Sequence, residues 1–233
     1  MKTLLFCTSY ISNNGGLHHM KRYKRWVDYY YPLLHELQAD NMFLIDDCGL
    51  HGGQSSFYTI ENELPPALNE TVNIYRFNTN LGRRSVIDFP GWWRSFLFSL
   101  EIAEKYGFDK IIHIESDFFI VSGRLKEYIR DLSNGWSSLF SHYHNFPETA
   151  VQVICRDAYS AFYGLKEKME RNNYTAEDFA ENILPFTRVE KQFIGDRLGE
   201  ESILTHWLDH RVAEFSRLDY LGQMVSRYND DDE

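Results

Sequence analysis

The sequence predicts an α/β fold built on a largely parallel sheet. Three observations predict it. Short apolar, β-rich runs alternate with helical stretches through the first half of the chain, in the order strand–helix–strand–loop–strand–helix–strand. Those runs end in small or acidic polar residues, as strands do at the ligand edge of an open α/β sheet. The 233 residues contain neither an internal repeat nor a stretch that reads as a linker, so one domain with a two- or three-layer core is the expectation.

Thr3–Tyr10 is the first expected strand. Met20, Tyr23, Val27 and Tyr30 then recur at helical spacing, and Pro32 kinks or restarts that helix through Leu33–Leu37. Asn41–Cys48 is an apolar run ending in two aspartates, and Val72–Asn78 alternates as a strand does. Between them Cys48–Glu70 reads as a loop of glycines, serines and a proline pair. The clearest helix starts at Pro90, with Trp92, Phe96, Leu100 and Ala103 on one face, Asp88 as its expected cap and Gly107 as its stop. Trp92 and Trp93 are adjacent and cannot both face the core, so one of them is expected to border a site. Lys110–Ser116 is a further strand, followed by a helix with Leu125, Ile129 and Leu132 on one side. Ser137–Tyr143 and Val151–Arg156 read as strands joined by a loop that carries His142 and His144. Helices are expected over Arg156–Arg171, from Thr175 with Asp178 three residues on as a capping-box variant, and from Glu200 to Arg211. The tail Asn229–Glu233 reads as a frayed acidic end.

A formal charge of −10 makes a nucleic-acid partner a poor fit, because phosphate backbones need a basic stripe. The local exception is Met20–Trp26, "MKRYKRW", which reads as a solvated face or as an attraction toward an anionic membrane or lipid phosphate. The three cysteines, Cys7, Cys48 and Cys155, are odd in number and widely spaced, which favours reduced thiols and a cytoplasmic setting. The first apolar run is too short for a signal peptide, and none approaches the length of a membrane span.

The chemistry concentrates at the strand ends. Thr8, Ser9 and Tyr10 close the first strand, and Asp46 and Asp47 close the second. Asn78, Asn80, Gly82, Arg83 and Arg84 follow the third, and Glu115, Ser116 and Asp117 close the fourth. Glu115 and Asp117 are two apart, so on an extended chain they face the same way, as does His113. Two converging carboxylates repel unless a cation stands between them. That cation is either a hard divalent ion such as Mg²⁺ or Mn²⁺, or one of Arg83, Arg84 and Arg94. Gly82 permits close backbone approach to a ligand, and the neighbouring arginines can fork onto a phosphate. Neither a dinucleotide fingerprint nor a Walker loop is present.

A first strand ending in Thr8-Ser9-Tyr10, a second ending in Asp, "NLGRR", a helix, and an apolar strand running into Glu115-Ser116-Asp117 together resemble the GT-A glycosyltransferases. Their nucleotide-sugar site carries an Asp-x-Asp motif, here with Glu in the first position. The resemblance covers roughly the first 120 residues well and the rest loosely. It implies a Rossmann-like, mixed but mostly parallel central sheet flanked by helices. Residues 1–120 would form the nucleotide-sugar half, 121–225 the acceptor half and 226–233 the tail. It implies a sugar moved from a nucleotide-diphosphate donor to a glycan, lipid-linked or protein acceptor, as in polysaccharide biosynthesis, with Mn²⁺ or Mg²⁺ neutralising the departing diphosphate. By the same resemblance, Tyr10 and Asp46 or Asp47 contact the nucleoside and Arg84 lies near the diphosphate or sugar. Asp117 holds the metal, Glu115 serves the ribose or the metal's water shell, and His206 is an additional metal ligand. The base that takes the acceptor's proton would come from Asp196, Glu200 and Glu201. Trp92, Trp93 and Trp136 are candidates to stack on a sugar or base. Two other readings fit the scaffold: a sugar-phosphate nucleotidyltransferase and a non-catalytic sugar- or protein-binding module.

Overall fold

The computed structural model describes residues 1–10, 16–48, 57–142, 144–197 and 218–222. In chain order these form β1 (Thr3–Ser9), α1 (Gly16–Tyr30), a 3₁₀ turn at Tyr31–Leu33, α2 (Leu34–Leu37), β2 (Asn41–Asp46), β3 (Tyr58–Glu61) and β4 (Val72–Arg76). Then come α3 (Pro90–Tyr106), β5 (Lys110–Ile114), β6 (Phe119–Ile120), α4 (Gly123–Asp131), β7 (Trp136–Ser141) and β8 (Phe146–Cys155). After a 3₁₀ turn at Arg156–Ala158 the chain continues through α5 (Tyr159–Arg171), α6 (Ala180–Ile183), β9 (Arg188–Glu190), β10 (Gly195–Arg197) and β11 (Tyr220–Gly222).

Eight strands make one sheet in the order β3-β4-β2-β1-β5-β8-β7-β9. β3, β4, β2, β1 and β5 run parallel, whereas β8 lies antiparallel to both β5 and β7. The mixed, mostly parallel sheet is therefore the one the sequence implies. Its strand order reverses at β1: β2 pairs on one side of it and β5 on the other. The crevice above such a reversal is where open α/β sheets bind ligands. β10, β11 and β6 form a small separate sheet.

The sheet separates two apolar layers, as strand alternation requires. Leu5, Cys7, Met42 and Leu44 pack with Trp26, Tyr30 and Leu37 on the α1–α2 face. Leu4, Phe6, Phe43 and Ile45 pack with Trp93, Phe96, Leu100 and Phe162 on the α3–α5 face. No helix among the described residues is long and apolar enough to cross a membrane.

Several local expectations are corrected. The loop from Cys48 contains an edge strand, β3, in which only Ile60 is buried. Asp88 does not cap α3: the cap position is Phe89, without a side-chain bond, and the Asp88 carboxylate accepts from the Ala176 amide (3.1 Å). The helix expected from Thr175 starts only at Ala180, and Asp178 accepts instead from the Phe179 amide (2.7 Å) and from Asn182. Gly107 does end α3 in a left-handed turn, φ +68°. Trp136 is fully buried, donating to Gln152 Oε1 (2.9 Å), so it stacks in the core and not on a ligand. The helix expected at Glu200–Arg211 lies outside the described residues.

Candidate functional site

Two adjoining cavities open at the C-terminal edge of the parallel strands. One, of about 580 Å³, is walled by Thr8, Ser9 and Tyr10 from the end of β1, Asp47 after β2, the Asn80–Arg83 loop, and the start of α3. The other, of about 390 Å³, is walled by Val86, Phe89, Asp117, the beginning of β8 and the beginning of α6. Arg22, Phe89, Trp92 and Glu115 line both and form the seam between them.

β8 reaches this edge with its N-terminal end because it runs antiparallel to β5, and the Glu115 amide donates to the Ala150 carbonyl (2.9 Å). β5 ends at Ile114, and the chain then turns, the Phe118 amide donating to the Glu115 carbonyl (3.0 Å). Strand alternation therefore does not extend to Asp117. The turn, and not the pleat, brings Glu115 and Asp117 to one cavity.

The two acids have different surroundings. Glu115 accepts from Thr8 Oγ1 (3.0 and 3.2 Å) and from Trp92 Nε1 (2.5 Å), and its Oε1 lies 3.3 Å from His113 Nε2. Burial alone would raise its pKa. His113, the Trp92 hydrogen bond and the Arg22 charge outweigh that and hold the carboxyl below its ordinary range. Asp117 pairs with Arg22 Nη2 at 3.0 Å. Burial works against the Arg22 charge, but Asp117, Tyr23 and Glu115 hold the guanidinium pKa above its ordinary value. The counter-ion is thus neither Arg83, Arg84 nor Arg94. It comes from the basic run in α1, whose reading as a solvated face fails at Arg22; Lys24 does remain exposed, paired with Asp28 at 2.5 Å.

Asp46 and Asp47 also part ways. Asp46 is fully buried, accepting from Arg76 Nε (3.2 Å) and Ser9 Oγ (3.4 Å); Arg76 is its register partner on β4. Of the two, only Asp47 lines the larger cavity. Its carboxylate accepts from the Leu81 amide (3.1 Å), the Gly82 amide (2.8 Å), Asn80 Nδ2 (3.2 Å) and Arg94. Burial pushes the Asp47 pKa up despite those amides and Arg94. Asp47 therefore shapes the Asn80–Gly82 loop, in which Gly82 adopts φ +62°, the left-handed region.

Gly91, at the start of α3, completes this arrangement. A methyl group there would fall onto Asp47 Oδ2. Gly91→Ala is expected to destabilise the protein by about 1–3 kcal/mol. It should also speed amide exchange at Leu81 and Gly82. Thermal melting with hydrogen exchange checks both.

Thr8, Ser9, Tyr10, Asn80, Arg83, Glu115 and Ser116 share the larger cavity. Tyr10 is tied to α1 by its amide, which donates to Tyr23 Oη (2.7 Å). Arg83 lies over the Phe89 ring, 4.4 Å from its centre. Arg84 turns away, donating to Thr175 Oγ1 (2.6 Å) and facing Asp88 (3.7 Å), so Arg83 is the arginine of the cleft. Trp93 is buried and Trp92 borders both cavities, as their adjacency requires. His113 is wholly buried behind Glu115, and His142 bonds the Lys191 carbonyl (2.8 Å). Asp196 has its backbone on β10, paired with Leu221, while its side chain, Glu200, Glu201 and His206 lie outside the described residues. Among the described residues no group of three or more His, Cys, Asp or Glu side chains forms a metal cage.

No protein-family model and no curated protein matches the sequence. Solved structures do match. A glycosyltransferase involved in the glycosylation of the major capsid of PBCV-1 superposes with a TM-score of 0.53 at 9% identity, over 95% of this chain and 92% of that one. The apo-form glycosyltransferase GlyE of Streptococcus pneumoniae TIGR4 superposes with a TM-score of 0.51 at 12% identity over 99% of this chain, which spans 57% of the GlyE chain. At such identities the likeness is one of architecture: over nearly its whole length the chain carries the α/β fold of GT-A-type glycosyltransferases.

Proposed function

We propose that the protein is a glycosyltransferase that moves a sugar from a nucleotide-diphosphate donor to a hydroxyl acceptor. The observation that carries this reading is the pair of adjoining cavities at the strand-order reversal, with Arg22 and Glu115 at their seam and Asp117 beside it. The larger cavity takes the nucleotide, with Tyr10 and the Asp47-held loop around the nucleoside and Arg83 toward the diphosphate. The smaller takes the acceptor, so the glycosidic centre sits at the seam.

A divalent ion, Mn²⁺ or Mg²⁺, fits this site in a restricted way. Asp117 offers the hard oxygen such ions prefer, whereas Glu115 is already engaged by Thr8 and Trp92. Asp117 would be the chain's ligand to the ion, with His206 as a further candidate. When bound, the ion neutralises charge on the departing diphosphate. Glu115 fixes the indole of Trp92 at the seam, and Arg22 and Arg83 bring positive charge to the phosphates. Asp196, Glu200 and Glu201 are the proposed acids for the acceptor proton. The free thiols Cys7, Cys48 and Cys155 suit a cytoplasmic setting.

The test is turnover. With a panel of nucleotide-diphosphate sugars and Mn²⁺, the protein is expected to release free nucleoside diphosphate from one of them. Binding without release would instead make it a sugar-nucleotide-binding module. Conversion of a sugar phosphate and a nucleoside triphosphate into a nucleotide sugar would make it a nucleotidyltransferase.

A further inference from the structure

The smaller cavity has a charge and a wall that select among acceptors. We infer, resting on the donor reading above, that it receives an uncharged sugar ring of a glycan acceptor and rejects sugars that carry a carboxylate or a phosphate.

Four carboxyl side chains line this cavity, those of Glu115, Asp117, Glu148 and Glu181. Among the described residues its one lining cation is Arg22, whose guanidinium is 3.0 Å from Asp117. An anionic acceptor would meet more carboxylates than cations along this wall, and like-charge juxtaposition disfavours its binding. A lipid-linked acceptor with phosphate next to its sugar meets the same penalty.

The walls supply what a neutral sugar needs. Phe89, Trp92, Phe146 and Phe179 give flat apolar surfaces suited to the C–H face of a pyranose. Glu181 accepts from Thr149 Oγ1 (3.2 Å), so a carboxylate and a hydroxyl stand together beside the rings to bind sugar hydroxyls. A mostly apolar wall with a few convergent polar groups is the usual make-up of a small-molecule site.

An independent observation lies at the mouth. Val86, in the loop before α3, is 71% exposed, and Phe179, before α6, is 53% exposed. Both line this cavity from different elements. Large apolar side chains left in water on two rims of one cleft mark a surface that something covers. A further sugar of an extended glycan would cover it without adding charge.

The experiment is saturation-transfer NMR on the full chain, with methyl glycosides of glucose, galactose, mannose and N-acetylglucosamine, and with methyl glucuronide, methyl galacturonide and the hexose 6-phosphates. At least one neutral glycoside is expected to bind, and its charged counterpart at least about tenfold more weakly. Phe179→Ala, at an exposed position, should weaken the neutral sugar about threefold or more. Glu181→Gln should narrow the gap between neutral and charged sugars. Equal or tighter binding of the charged counterparts would overturn the inference, as would neutral binding that Phe179→Ala leaves unchanged or binding by none of the sugars. A nucleoside-diphosphate titration on the same samples separates the two readings. Nucleotide binding without the sugar selectivity sinks this inference alone. Sugar selectivity without nucleotide binding sinks the donor reading and leaves a glycan-binding cleft.

Discussion

Replacing Asp117 by asparagine is expected to lower nucleotide-sugar turnover by about two to three orders of magnitude while leaving the fold intact. The carboxylate stands beside the seam of the two cavities, where a diphosphate would gather charge as it leaves. Asparagine keeps the shape and removes the negative oxygen that a hard cation needs. The structural cost is the ion pair with Arg22, whose partners are 32% and 18% exposed. That is worth about 1–2 kcal/mol for a partly buried, charge-assisted contact. For a chain of this size it corresponds to a few degrees of melting temperature. Arg22→Gln breaks the same ion pair from the other side, so its melting shift calibrates that cost. A mutant of Asp117 that unfolds, or one that turns over at nearly the normal rate, would count against the assignment.

The second large effect is on stability. Lys110 is 1% exposed at the start of β5. Its ammonium donates to the carbonyls of Ile129 (3.1 Å), Arg130 (2.7 Å) and Leu132 (3.1 Å), at the C-terminal end of α4. These are carbonyls that a helix end leaves without intrahelical partners, and the helix dipole makes a cation there favourable. Lys110→Ala removes the ammonium from all three, leaves the Leu132 carbonyl only its Cys155 Sγ contact (3.7 Å), and empties the space of the side chain. The expected loss is about 3–5 kcal/mol, the cost of leaving buried carbonyls unpaired together with the emptied space. Denaturant unfolding of the variant against the parent measures it. A loss under about 1 kcal/mol would mean that water replaces the ammonium at little cost.

Strands β1, β2, β4, β5, β7 and β8 are legible because they place apolar side chains on both faces of the sheet, β7 through Trp136 on one and Leu139 on the other. β3 was hidden because an edge strand of Tyr58–Glu61 buries one residue and sits after a glycine-rich segment. Asp88 does not cap α3 because its carboxylate accepts from the Ala176 amide, a tertiary partner that spacing cannot reveal. Strand-end polarity singles out Thr8, Ser9, Tyr10, Asp47 and Glu115, and these do line one cavity, since parallel strands deliver their ends to one edge. Asp46 looked equivalent to Asp47, but the β2–β4 register pairs it with Arg76 inside the sheet. The pairing of Arg22 with Asp117 is not legible in the basic run Met20–Trp26. That partner lies far along the sequence, and a run of cations reads as a solvated face until the α1 packing turns one of them inward.

The proposed function requires a nucleotide diphosphate bound in the larger cavity and a divalent ion carried by Asp117. Thermal melting of the parent and of Asp117→Asn, across nucleoside diphosphates with and without Mn²⁺, tests both at once. The parent should be stabilised selectively by one nucleoside diphosphate, and further when Mn²⁺ is added. Asp117→Asn should keep the metal-free shift and lose the Mn²⁺ increment. No shift with any nucleoside diphosphate, or an undiminished Mn²⁺ increment in Asp117→Asn, would contradict it.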